Sequence, residues 1–127
     1  MSNMLSVFND HFFEFITDIQ NVFPEDIDIL SSKNALFAIR KLNPKMIVKI
    51  WKSYITNKYR NQIESNDISF FLTKDYSIDV DSTGNSDKIM EYINKLREPI
   101  KQMSEENKIK VMKYIQNLTK LSDLCDC

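Results

Sequence analysis

Residues 43–63 read NPKMIVKIWKSYITNKYRNQI, and this stretch decides the fold class of the chain. Asn is a favoured N-cap and Pro is favoured at the first helical position, so Asn43 and Pro44 predict a helix start. At about 100° per residue, its large apolar side chains spread over a wide arc: Met46, Ile47, Ile50, Trp51, Tyr54 and Ile55. This arc predicts a central helix, running to about Ile63, that several other helices contact.

The opposite side of this predicted helix carries one narrow polar stripe, made of Lys45, Lys49, Lys52, Thr56 and Arg60. Because Arg40 and Lys41 come just before it, the cations could neutralise several phosphates along one line. Trp51 and Tyr54 lie on the apolar arc, so the stripe lacks aromatic side chains on which bases could stack. The basic helix at 44–63 therefore makes nucleic acid one candidate partner, and an ordinary solvated helix face is the alternative.

Two amphipathic helices are predicted before this stretch. Apolar residues recur at spacings of three and four over residues 2–23, and Pro24 ends that helix. Asp26 or Asp28 then caps a second helix that runs to about Leu42. The inward-facing residues of this second helix are predicted to be Leu30, Leu36, Phe37, Ala38 and Ile39.

Two further helices are predicted in the C-terminal half. Ser86 is a good N-cap for the first, and Pro99 should end or kink that helix just before the proline. Ser104 caps the last helix, which reaches about Leu124. Residues 74–85 lack a helical period and are predicted to form an ordered loop.

The whole pattern predicts an all-α fold, a compact single-domain bundle of about five helices at residues 1–124. A length of 127 residues suits one domain, and a single Gly argues against a turn-rich β-sandwich. Residues 125–127 are predicted to be a frayed tail. Its two cysteines, Cys125 and Cys127, lie too close in sequence to close a useful loop, which favours reduced thiols and an intracellular location.

The inventory of catalytic residues is poor. One Gly excludes the Gly-rich loops that cradle phosphates, and the single histidine, His11, lies among phenylalanines in the first helix. Asp75, Asp79 and Asp81 could bind Mg²⁺ or Ca²⁺, but a solvated acidic loop is the preferred interpretation. We therefore predict that the protein is not an enzyme, with no cofactor, no metal site and no small-molecule substrate.

Charges alternate in blocks along the chain. The net charges of residues 1–32, 33–62, 63–93 and 94–127 are −6, +8, −5 and +2. Such blocks are typical of helices of opposite sign that face each other in a bundle. They also suit a surface that binds an acidic partner or a phosphate backbone.

The stretch DISFFLTKDY at 67–76 concentrates apolar side chains in a short segment. Phe70 and Phe71 point in different directions on a helix or a strand, so one neighbouring element cannot cover both. Either the segment is wedged between two helices, or one phenylalanine stays exposed as an anchor for a partner protein.

Three segments resemble small uncharacterised proteins of nucleocytoplasmic large DNA viruses, the giant viruses of algae and protists. They are the helix start Asn43-Pro44-Lys45 with Trp51, the stretch 67–76, and KYIQNLTKL at 113–121. The resemblance extends from about Phe8 to Leu124. It fits the bias of the chain toward Ile, Lys and Asn, whose codons are AT-rich. The resemblance implies a viral factory in the host cytoplasm, and the virion, as the places of action.

Together these observations predict a non-catalytic viral structural or protein-interaction protein. Its expected partner is another protein, of viral or host origin or a second copy, with nucleic acid in replication, transcription or packaging as the alternative. The residues expected to bind a partner or nucleic acid are Arg40, Lys41, Lys45, Lys49, Lys52, Arg60, Phe70 and Phe71. No apolar run is long enough to span a membrane, and no secretory signal is visible, so membrane insertion and secretion are not expected.

Overall fold

The computed structural model describes residues 4–72 and 85–125, and every regular element among them is helical. These residues form α1 (Met4–Val22), α2 (Ile27–Leu42), α3 (Met46–Trp51), a π-helical turn (Lys52–Thr56), α4 (Arg60–Glu64), α5 (Ser69–Leu72), α6 (Asn85–Lys101) and α7 (Glu105–Leu124). The prediction of an all-α fold is confirmed. Seven α-helices are present in this part of the chain rather than about five, because the long helix predicted after Asn43 is divided into α3 and α4 and because residues 69–72 form the additional short helix α5.

The predicted caps position α2 and α7. The Asp26 carboxylate accepts hydrogen bonds from the backbone N–H groups of Asp28 and Ile29, at 2.9 and 3.2 Å. The Ser104 hydroxyl oxygen accepts one from the N–H of Asn107 at 3.2 Å. Both side chains satisfy N–H groups that have no partner within the helix, so local sequence specifies these two starts.

The helix predicted over residues 44–63 is not continuous. After α3, the N–H of Asn57 bonds to the carbonyl of Lys52 at 2.9 Å, which is the wider i→i+5 turn of a π-helix. The extra residue in this turn rotates the later side chains of the stretch about the helix axis. Thr56, predicted for the polar stripe, is therefore fully buried, and its hydroxyl lies 2.9 Å from that of Ser122 in α7.

Pro99 does not end α6 as predicted, because the helix continues to Lys101. Pro99 and Ile100 are buried, and the N–H of Gln102 bonds to the carbonyls of Glu98 and Pro99. A proline in a last turn removes one hydrogen bond, and burial of the following isoleucine offsets that loss. Tertiary packing therefore overrides the local stop signal.

The core lies around α3, which contacts α1, α2, α6 and α7. Trp51 is fully buried and meets the rings of Phe8 and Phe12 edge-on, with centroids 6.3 and 6.1 Å apart. Outside this centre, α1 packs on α7 and α2 packs on α6. The prediction of a central helix contacted by several others is confirmed for the α3 part of the stretch.

Several predictions concern residues that the structure does not describe. The loop predicted at 74–85, apart from Asn85, lies outside the described residues, as do the acidic set Asp75, Asp79 and Asp81 and the last two residues. Cys125 is described, and it differs from the predicted reduced thiol in a frayed tail. It is 5% exposed and disulfide-bonded. Within the described ranges, no helix combines the length and apolarity needed to cross a membrane.

Candidate interaction surface

The two arginines of the predicted basic site are engaged within the bundle. Arg40 Nη2 donates to the Asp10 carboxylate of α1 at 2.7 Å. Arg60 donates two hydrogen bonds to the Asp123 carboxylate of α7, at 2.9 and 3.0 Å. Bidentate pairs of this kind favour one orientation of the guanidinium. Both arginines therefore tie neighbouring helices together, which reduces what they can offer to an external anion.

The lysines of the predicted site differ from one another. Lys41, Lys45 and Lys49 are exposed, and within the described part of the chain none of them forms an ion pair. Lys52 is half-buried. The hydrogen bond from Arg60 lowers the pKa of Asp123, and the charge of Lys52 adds to this effect. The polar stripe is therefore cationic where α3 begins, at Lys45 and Lys49. At its other end, Arg60 is paired with the Asp123 carboxylate.

The two phenylalanines of α5 are covered to different extents, Phe70 by Tyr59 and Phe71 by Arg97 of α6. Phe70 is half-buried and stacks on Tyr59, with ring centroids 4.7 Å apart. Phe71 is fully buried, with the Arg97 guanidinium 4.6 Å from its ring centroid. Arg97 also donates to the carbonyls of both phenylalanines, at 3.2 and 3.4 Å. Phe71 therefore offers no surface to a partner, which corrects its place among the predicted binding residues.

The residues that sequence reasoning missed lie on α2. Leu30, Phe37 and Ala38 were predicted to point inward, yet they are exposed, while Leu36 is fully buried. We define the α2 outer face as the exposed residues Ile27, Leu30, Ser31, Asn34, Phe37, Ala38, Lys41 and Leu42. This face carries one charge, at Lys41. The signal in the sequence is the heptad spacing i, i+3, i+7 and i+10 of Ile27, Leu30, Asn34 and Phe37.

The described residues do not form a metal-binding cluster, since no three of their His, Cys, Asp or Glu side chains come together in a way that could hold a metal ion. The His11 ring lies 4.9 Å from the ring of Tyr114, and its Nδ1 is 4.0 Å from a Glu14 carboxylate oxygen. The Tyr114 hydroxyl donates a hydrogen bond to Asp18. The contacts of Tyr114 with His11 and Asp18 join α7 to α1.

Tyr114 is expected to lose its proton at unusually high pH. Burial, together with the hydrogen bond to Asp18, raises the pKa of Tyr114 to about 12. The unfolded chain loses this proton near pH 10, so stability should fall as the pH rises from about 10 to about 12. Ultraviolet titration of tyrosinate should show a late-ionising phenol, and Tyr114→Phe should remove that late step. An identical titration curve at high pH for wild type and Tyr114→Phe, apart from the lost phenol's amplitude near pH 10, would contradict this assignment.

Comparison with known proteins identifies no relative. No protein-family model matches the chain, and neither curated proteins nor solved structures give a match. The comparisons therefore indicate no function for the chain.

Proposed function

We propose that this protein is a non-catalytic protein-interaction protein that binds its partner through the α2 outer face. The supporting observation is the exposure of large apolar side chains on one helix: Ile27 is 75% exposed, Leu42 87%, Leu30 45% and Phe37 44%. Scattered exposed apolar residues are ordinary, whereas a contiguous set with little charge marks an interaction surface. The other predicted anchor, Phe70, is covered by Tyr59.

The test compares protein complexes isolated from cells that express the tagged full chain. Leu30→Glu with Phe37→Glu places two charges on the α2 outer face and should release the bound proteins. Ile109→Glu, at a 62% exposed position of α7, is the matched control and should retain them. Equal recovery from both variants would overturn the proposal.

We also propose a viral setting, in the viral factory of the host cytoplasm or in the virion. It rests on the resemblance to proteins of giant viruses noted for Asn43-Pro44-Lys45 with Trp51, for residues 67–76 and for residues 113–121. Mass spectrometry of purified virions, combined with crosslinking, tests this setting. Abundance in the particle favours a structural role, and absence from it favours a role in the factory.

A second candidate function is contact with nucleic acid, which the exposed Lys41, Lys45 and Lys49 favour. If it holds, affinity for DNA or RNA should fall steeply with salt, because binding releases counterions from the phosphates. Charge reversal of Lys45, Lys49 and Lys52 to Glu should abolish a mobility shift at about 50 mM salt.

Reversal of Lys110, Lys113 and Lys120 is the matched control, since these lysines are exposed on α7 and change the net charge equally. The three substitutions on α7 should leave most of the nucleic-acid mobility shift intact. Absence of any shift with wild-type protein would remove the nucleic-acid candidate. Equal loss in both triple variants would show attraction by net charge rather than a site on α3.

A further inference from the structure

A pocket opens between the second half of α1 and the first half of α7. Its volume is about 220 Å³. Its apolar lining includes Phe15 and Ile19 of α1, Val111 of α7, and Met103 just before α7, and all four side chains are buried. An apolar group that enters the pocket is removed from water against these side chains, which is favourable. The pocket therefore suits the apolar part of a small ligand.

Two opposite charges line the same pocket. Asp18 belongs to α1 and Lys110 to α7, and both residues are exposed. Within the described part of the chain, neither of them forms an ion pair. One carboxylate and one ammonium group are therefore available to a ligand, from opposite walls of the pocket.

The Asp18 carboxylate is held in place by a second residue of the pocket. The Tyr114 hydroxyl donates a hydrogen bond to it. A carboxylate has about four lone-pair sites, so this bond leaves room for the ammonium group of a ligand. Asn107 adds a carboxamide to the lining, which can both donate and accept hydrogen bonds. A few polar groups placed in this way orient a ligand in a mainly apolar pocket.

The size and the charges of the pocket together define the ligand. Pockets for drug-sized molecules measure roughly 300–1,000 Å³, so a volume of about 220 Å³ suits a smaller molecule. An ammonium group complements Asp18, a carboxylate complements Lys110, and an apolar side chain complements the buried lining. A free α-amino acid with an apolar side chain carries all three groups on one carbon atom.

We infer that the pocket between α1 and α7 binds a free α-amino acid with an apolar side chain, with its ammonium group on Asp18 and its carboxylate on Lys110. Periodicity does not indicate this site, because its lining residues come from opposite ends of the chain. The pocket lies outside the α2 outer face, so the inference is independent of the proposed function.

An NMR titration of the isotope-labelled full chain with L-leucine tests the site. A ligand of this size should bind with a dissociation constant on the order of 1 mM. Backbone amide signals of residues 15–22 and 107–114 should shift and approach saturation by about 20 mM leucine. Glycine has both charges but no side chain, so it should bind at least about tenfold more weakly. Absence of a saturable shift with leucine, or equal binding of glycine, would overturn the inference.

Two derivatives of leucine test the two charges separately. Leucinamide lacks the carboxylate and N-acetylleucine lacks the ammonium group, so the two also represent the first and the last residue of a peptide. Each derivative should bind at least about fivefold more weakly than leucine, because each loses one ionic contact. If either derivative binds as well as leucine does, the ligand is not a free amino acid and the inference fails.

Lys110→Glu tests the pocket from the side of the protein. The substitution reverses the charge that binds the ligand carboxylate and should weaken leucine binding about tenfold at low salt. Lys113→Glu is the matched control, since Lys113 is exposed on the same helix and lies outside the pocket. Circular dichroism melting verifies that both variants are folded. Equal leucine affinities of the two variants would overturn the inference and would leave the proposed function untouched.

Discussion

Replacing Phe71 with Ala is expected to lower the free energy of unfolding by about 3–5 kcal/mol. The side chain is fully buried where α5 packs on α6, and the Arg97 guanidinium lies against its ring. Truncation would remove apolar burial, leave a cavity and take away the ring contact of a buried cation. Urea unfolding followed by circular dichroism measures the change, with similar slopes required for the comparison.

Phe70→Ala is the matched control, since it removes the same atoms from the neighbouring position. Phe70 is half-buried and contacts the rings of Tyr59 and Phe71, so the expected loss is roughly 1–2 kcal/mol. Equal losses of stability for the two variants would show that Phe71 is not more deeply buried than Phe70. A negligible loss for Phe71→Ala would contradict its burial altogether.

Replacing Trp51 with Ala is expected to cost about 3–5 kcal/mol as well. This side chain is fully buried at the centre of the molecule, and the rings of Phe8 and Phe12 pack on it edge-on. Because α3 contacts four other helices, a cavity here should weaken the whole bundle rather than one end of it. We expect a lower unfolding midpoint in thermal denaturation and in urea.

Leu42→Ala provides the comparison, because it also shortens a large apolar side chain but at an 87% exposed position. Its effect should stay within about 0.5 kcal/mol. A similar loss for Leu42 and Trp51 would mean that α3 is not the centre of the core.

Local sequence determined most helix ends. Asp26 and Ser104 accept hydrogen bonds from the first free N–H groups of α2 and α7, and these bonds involve only residues two or three positions away. The apolar arc at Met46 to Ile55 likewise indicated a central helix. Periodicity predicts such a feature because its residues lie on a continuous helical surface before any packing occurs.

Only the tertiary structure decided where that periodicity breaks. Thr56 points into the core because the π-helical turn shifts its register, and Ser122, 66 positions away, supplies the neighbouring hydroxyl. Pro99 stays within α6, where both Pro99 and Ile100 are buried. Contacts between residues far apart in sequence outweigh local propensity in both places.

The choice of faces on α2 was decided in the same way. Ile29, Leu36 and Ile39 form one apolar stripe, and Ile27, Leu30 and Phe37 form another, so amphipathicity alone permits either to face the core. The bundle buries Ile29 and Leu36, and Arg40 beside that stripe binds Asp10 of α1. The sequence by itself determined the helices and their caps. Long-range packing determined which α2 stripe remained exposed, because burial depends on the elements that meet there.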